Sequence, residues 1–141
     1  MFARAWPIAL AVFSDVFYQI GSKSTPPNVN VFASLTLTYL IGAAVTLIAF
    51  YLSSGGGNVL AEMKNANWSA LLLGLAIVGL EGGSIFMYKA GWAVNTGYVI
   101  KAIFIAVALV FVGWFVYKEP ISLSKIAGIA FCMVGLFLIN R

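Results

Sequence analysis

From Val31 to Leu52 the chain runs without a single charged side chain. A bilayer core is crossed by about 20 apolar residues of helix, so this run is long enough to span one. Inside hydrocarbon no water is present to bond the backbone, which leaves an α-helix or a closed barrel. The apolar runs are continuous rather than alternating, so a barrel does not fit. Hydrophobic residues make up 62% of the sequence and charged residues 9%, against roughly a quarter charged in a soluble domain. The expectation is an all-α integral membrane protein.

At 141 residues and about 20 per span, the chain allows five helices with short connections and no soluble catalytic domain. It has no His and one Cys. Cys132 lies in an apolar run, so neither a disulfide framework nor a cysteine metal cluster is expected. No catalytic constellation is visible; the expectation is no enzyme, no metal and no cofactor. The eight basic residues are scattered singly, which speaks against nucleic acid and for membrane topology and a few internal sites.

One five-helix transmembrane domain is expected over residues 1–141, with spans at about 5–21, 31–52, 68–92, 98–117 and 123–139. Pro7 falls in the opening turn of the first span, where its missing N–H costs nothing. Arg4 before an apolar stretch resembles the start of a signal peptide. Asp15 interrupts the stretch and no small-residue cleavage pattern follows, so the segment is expected to stay in the mature protein. Ser24 to Asn28, with Pro26 and Pro27, reads as a turn. Ser53 to Asn58 reads as a flexible loop, followed by a short polar stretch at Glu62 and Lys64. Trp68 and Trp92 bracket the third span as interfacial anchors. Val94-Asn95-Thr96-Gly97 reads as a connection, and Trp114 and Tyr117 close the fourth span. Lys118-Glu119-Pro120 is a turn, and Ser122 the N-cap of the last helix. The sequon Asn67-Trp68-Ser69 lies too near the membrane for glycan attachment.

Lipid gives no hydrophobic drive for helix association, so small residues at close spacing carry the packing signal. Ser34, Thr38, Gly42 and Thr46 fall every four residues in the second span, and Gly79 and Gly83 form a GxxxG pair in the third. Ser124, Gly128 and Cys132, with Gly135 nearby, mark the last span. These stripes suit a partner helix, either in the same chain or in a second copy.

Asp15, Glu81, Lys89 and Lys101 fall within the spans or at their edges. A charge at the centre of a membrane helix costs about 2.5–3.5 kcal/mol on insertion scales, which makes a pathway or binding role the default hypothesis. Glu81 lies near the middle of its span and shares a helical face with Ser84, Tyr88 and Trp92. Asp15 shares a face with Ala11, Tyr18 and Ser22, with Gln19 adjacent. A carboxylate among hydroxyl and aromatic groups suits a small polar or cationic solute. Burial penalises the charged form of a carboxylate, so such a group can exchange a proton against substrate. The alternative is structural pairing, Glu81 with Lys101 or Asp15 with a lysine, fixing helix register. Lys23 and Lys89 sit near span ends, where snorkelling to the interface is expected.

Five spans place Arg4, Lys64, Lys118 and Lys125 on one side. Lys23 and Arg141 lie on the other, with Lys89 and Lys101 if those reach the interface. That bias is weak by the positive-inside rule and permits insertion both ways round. A short repeat inserted in both orientations could form, as an antiparallel homodimer, the object that inverted repeats form in one chain. Insertion in a single orientation is the other possibility.

The stretch EGGSIFMYKA from Glu81 to Ala90 precedes a short loop and a span ending Gly113-Trp114-Phe115-Val116-Tyr117-Lys118-Glu119-Pro120-Ile121-Ser122. A short last helix follows, from Ile126-Ala127-Gly128-Ile129-Ala130 to Gly135-Leu136-Phe137-Leu138-Ile139. This resembles the EamA-like domain of the drug/metabolite transporter superfamily, in which a Gly-Glu-x-apolar turn joins the fourth helix to a short, glycine-containing fifth. Here Lys118 stands where that turn usually has Gly. The resemblance covers all five spans, with its motif content concentrated after Gly79. It implies an EamA-like half-transporter bundle, since most such proteins carry two such domains in one chain. Asp15 followed by Lys23 is also similar to the small multidrug resistance proteins, which use Glu at the acidic position to bind protons and cationic drugs. Glu119, in a turn, is expected to orient the last helices rather than to bind.

The functional expectation is a small secondary transporter of metabolites or drugs in the cell membrane. It would act as a homodimer of dual topology among membrane lipids, with Glu81, Asp15, Tyr88, Tyr18, Ser84, Lys101 and Gln19 meeting substrate or proton. Gly42, Gly79, Gly83 and Gly128 would serve packing. The alternatives are a lipid-linked carrier flippase or scramblase subunit, and a membrane assembly subunit that transports nothing.

Overall fold

Six α-helices follow one another in a computed structural model that describes residues 2–120 and 122–139. They are α1 (Phe2–Lys23), α2 (Val31–Ser54), the short α3 (Val59–Lys64), α4 (Trp68–Lys89), α5 (Val94–Phe115) and α6 (Leu123–Ile139). No strand occurs among the described residues. Helices α2, α4 and α5 are long and apolar enough to cross a membrane. Helix α1 carries Asp15 and Gln19 in its interior, and the apolar stretch of α6, Ile126–Gly135, is shorter. The chain divides into two compact units, Met1–Ala90 and Gly91–Arg141.

Three asparagines start helices of the first unit. Asn30, Asn58 and Asn67 each hold an extended backbone, and each side-chain oxygen accepts N–H groups of the turn that follows. Each cap satisfies donors that a helix start otherwise leaves orphaned. Asn67 is also the sequon residue, and its oxygen takes the Ser69 N–H at 2.9 Å. Helix α2 stops at Gly55, whose φ of +61° is the left-handed conformation that closes a helix without a Cβ penalty.

Several sequence expectations change at the helix ends. Helix α1 begins at Phe2, so Pro7 lies inside it rather than in its first turn, leaving a gap in the i→i−4 ladder. Helix α4 ends at Lys89 and the chain takes φ +97° at Gly91, so Trp92 lies outside the helix that carries Glu81. Val94 to Gly97, expected as a connection, form the first turn of α5, where Gly97 N–H bonds the Ala93 carbonyl at 2.8 Å. Helix α5 stops at Phe115, leaving Tyr117 beyond its end.

In the second unit the turn after α5 folds back on the helix. Glu119 N–H donates to the Gly113 carbonyl at 2.9 Å. The Glu119 carboxylate lies 3.1 Å from where a Cβ on Gly113 would stand. Lys118 takes a φ of +56° to make this turn, which explains physically why a glycine suits that place. Glu119 therefore shapes the turn, and Ser122 takes the N-cap position of α6, its carbonyl accepting Ile126 N–H at 3.3 Å.

Burial is inverted relative to a water-soluble protein. Gln19, Ser22 and Ser84 are buried, while Leu, Ile, Phe and Val side chains such as Leu40, Ile41, Val45, Leu71, Leu75 and Phe111 stand exposed. Exposed apolar surface of this extent matches a lipid exterior. Together with the apolar helices it identifies a membrane protein. The apolar core of the first unit is Val31, Leu35 and Ile85 with Tyr39 against it. It joins the C-terminal half of α4 to the N-terminal half of α2, and the C-terminal half of α1 packs on α4 through the buried Gln19 and Tyr88.

Candidate functional site

The packed halves of α1, α2 and α4 each contribute one helical face. On α1 this is Asp15, Tyr18, Gln19 and Ser22; on α4 it is Glu81, Ser84, Ile85 and Tyr88, both at i, i+3, i+4, i+7 spacing. On α2, Val31, Ser34, Leu35, Thr38 and Tyr39 follow the same rule. A close approach of α2 to α4 is possible because residue 82 is glycine; a Cβ there would sit 3.6 Å from Leu35 Cδ1.

Between the three faces lies a cavity of about 230 Å³, lined by Tyr18, Gly21, Ser22, Thr25, Ser34, Leu35, Thr38, Glu81 and Ile85. Glu81 is the charged residue of that lining. Its Oε2 atom is buried and has no hydrogen-bond partner, and the same holds for the Tyr18 and Tyr39 hydroxyl oxygens. Tyr39 stands near enough to interact with the Glu81 carboxyl, and Tyr18 to interact with Ser22 and Ser84, without hydrogen-bond geometry. Buried polar atoms are nearly always paired, so the unpaired Glu81 and Tyr18 oxygens of this lining, with that of Tyr39 near Glu81, give the site spare acceptor and donor capacity. Thr38 Oγ1 donates to the Ser34 carbonyl at 3.1 Å, and Ser84 Oγ to the Leu80 carbonyl at 2.8 Å.

Asp15, Gln19 and Tyr88 make a different arrangement. The Tyr88 hydroxyl donates to Gln19 Oε1 at 2.6 Å, and Gln19 Nε2 donates to Asp15 Oδ1 at 2.8 Å. Gln19 and Tyr88 are each only 4% exposed, so this chain of bonds is a buried tie between α1 and α4. The Lys23 ammonium lies 5.7 Å from the centre of the Tyr88 ring. Lys89, expected to snorkel, instead donates to the Pro27 carbonyl at 3.2 Å and to the Val29 carbonyl, holding the α1–α2 turn against the end of α4.

The structure thus brings Tyr18 and Glu81 to one cavity, with Ser84 packed beside them, and ties Gln19, Asp15 and Tyr88 into a neighbouring network. Lys101 lies on α5 in the second unit, its ammonium 5.3 Å from the centre of the Tyr98 ring. Sequence reasoning missed Tyr39 and took Ser34 and Thr38 only as packing residues. Their i, i+4 hydroxyl spacing was the available signal. A Cβ added at Gly42, Gly79, Gly83 or Gly128 would meet nothing within 4 Å among the described residues.

The model of the EamA-like transporter family matches residues 5–141. No curated protein and no solved structure matches the chain significantly.

Proposed function

We propose a mechanism from the premise that this chain belongs to the EamA-like transporter family, whose members are membrane transporters of the drug/metabolite superfamily. In our reading all five long helices cross the cell membrane as one domain, with α3 a connector outside the bilayer. The chain is a secondary transporter whose Glu81 carboxyl alternates between proton and substrate.

The observation that carries this is the placement of Glu81, with a buried, unpartnered oxygen, at a cavity between three helices. A lone carboxylate away from water is costly to keep charged, so it takes up a proton or a positive ligand. Loading by one then excludes the other, which couples their movements. At about 230 Å³ the cavity is below the roughly 300 Å³ at which drug-sized sites begin, which favours a small metabolite. A homodimer, antiparallel in the bilayer, is supported by the weak basic bias across the spans and by the open space over Gly42, Gly79, Gly83 and Gly128.

The test is uptake of radiolabelled amino acids and small amines into proteoliposomes under an imposed pH gradient. Wild-type protein is expected to show gradient-driven uptake, falling about tenfold or more in Glu81→Gln. Proton-driven uptake that persists undiminished in that variant refutes the role of Glu81. Side-specific labelling of tags on both termini addresses the dimer: a single orientation in cells eliminates the antiparallel form.

A further inference from the structure

The donor set around Glu81 has a narrower meaning than a generic polar cavity. Every polar side chain of the lining ends in oxygen: the hydroxyls of Tyr18, Ser22, Thr25, Ser34 and Thr38, and the Glu81 carboxylate. Among the described residues no lysine or arginine lines it. The described lining therefore carries one carboxylate and no basic group to balance its charge.

Three consequences follow. An anion is repelled, and a divalent cation is left with an uncompensated charge in a low-dielectric site, which is costly. Metals that depend on imidazole or thiolate ligands find none here: no group of three or more His, Cys, Asp or Glu occurs among the described residues. One positive charge of compact size balances the site, and hard oxygen donors suit it.

We propose that the cavity between α1, α2 and α4 is a binding site for one compact monovalent cation, held by Glu81 and the Tyr18 hydroxyl of its lining. The unpartnered oxygens of these two residues are what the ligand uses, and Tyr39 stands behind the Glu81 carboxyl. Seated there, the cation takes the Glu81 carboxylate directly, and the Tyr18 phenol turns a lone pair inward. The same chemistry is offered by an inorganic ion such as Na⁺ and by the ammonium head of a small amine. This inference rests on Glu81 serving as the exchange site, and adds what the site exchanges.

The experiment is equilibrium binding to the full chain, purified and reconstituted in liposomes, with ²²Na⁺ in one arm and ¹⁴C-methylammonium in another. ¹⁴C-acetate serves as the anion control. The expected result is saturable binding in at least one cation arm and none for acetate. Affinity should fall about tenfold or more in Glu81→Gln, where the lining carboxylate is removed, and by about threefold to tenfold in Tyr18→Phe. Glu81→Asp should retain part of it. Binding of ²²Na⁺ assigns the inorganic ion, and binding of methylammonium alone assigns the amine. No saturable cation binding by monodisperse wild-type protein, or binding unaffected by Glu81→Gln, overturns the proposal. The two readings fail separately. Proton-coupled uptake without cation binding overturns this inference and leaves transport standing; cation binding at Glu81 without uptake does the reverse.

Discussion

The Tyr88 hydroxyl and the Gln19 side-chain oxygen, 69 positions apart in sequence, meet at 2.6 Å inside the first unit. Because the Gln19 amide nitrogen also donates to Asp15, the amide has both ends engaged and its orientation is fixed. This tie holds α1 against α4, the two helices that with α2 border the cavity.

Tyr88→Phe removes the donor and leaves a buried Gln19 oxygen unsatisfied. The expected cost is about 1–3 kcal/mol of stability, read as a lowered midpoint in thermal unfolding of the detergent-solubilised protein. In a double-mutant cycle with Gln19→Leu, the two changes should be non-additive by roughly 1 kcal/mol. Simple additivity would mean that the bond contributes nothing beyond its separate groups.

Lys89 holds the turn between α1 and α2 through the Pro27 and Val29 carbonyls. Lys89→Met keeps the length of the side chain and loses the donors. Backbone amides of residues 24–30 should then exchange with deuterium at least several-fold faster in mass spectrometry, given about 1–2 kcal/mol from two charged hydrogen bonds near the surface. Unchanged exchange would show that the turn is held by its own bonds, among them Val29 N–H to the Pro26 carbonyl.

Lys118 sits at φ +56°, a conformation that costs a residue bearing a Cβ roughly 1–2 kcal/mol. Lys118→Gly should stabilise the protein by roughly 0.5–1 kcal/mol, the relief being partly offset by the greater freedom of glycine when unfolded. Lys118→Val should destabilise it. If both raise or both lower the unfolding midpoint, backbone strain is not the controlling factor at this turn.

Among the described residues nothing lies within 4 Å of a Cβ added at Gly79 or Gly83, so Gly→Leu at either should leave the monomer's fold intact. If a second copy packs on that stripe, the same substitutions should shift native mass spectra from dimer to monomer, since close backbone approach is lost. A dimer that survives both substitutions places its interface elsewhere.

The helical class was legible because charge-free runs such as Val31 to Leu52 admit little else in lipid. The faces of α1 and α4 were also legible, since Asp15–Gln19 and Glu81–Ser84–Tyr88 follow helical spacing. Helix starts were read less well. Asn95, Thr96 and Gly97 have turn chemistry, yet the first turn of a helix tolerates such residues because its N–H groups lack helical partners; α5 accordingly begins at Val94. Tyr39 was invisible because it lies in the charge-free helix and reaches Glu81 only through the packing of α2 on α4. The role of Lys89 was hidden for another reason. Its acceptors are loop carbonyls, and no pattern of side chains reports where a carbonyl points.

The inverted burial of the first unit has a practical consequence. Its buried apolar core is Val31, Leu35 and Ile85, while its outer coat of leucine, isoleucine and phenylalanine is exposed. Moving the molecule from bilayer to micelle therefore leaves this small interior alone and replaces the medium that wets most of its apolar surface. The choice of amphiphile is a choice of solvent, and any measured stability belongs to the pair of protein and amphiphile rather than to the polypeptide by itself.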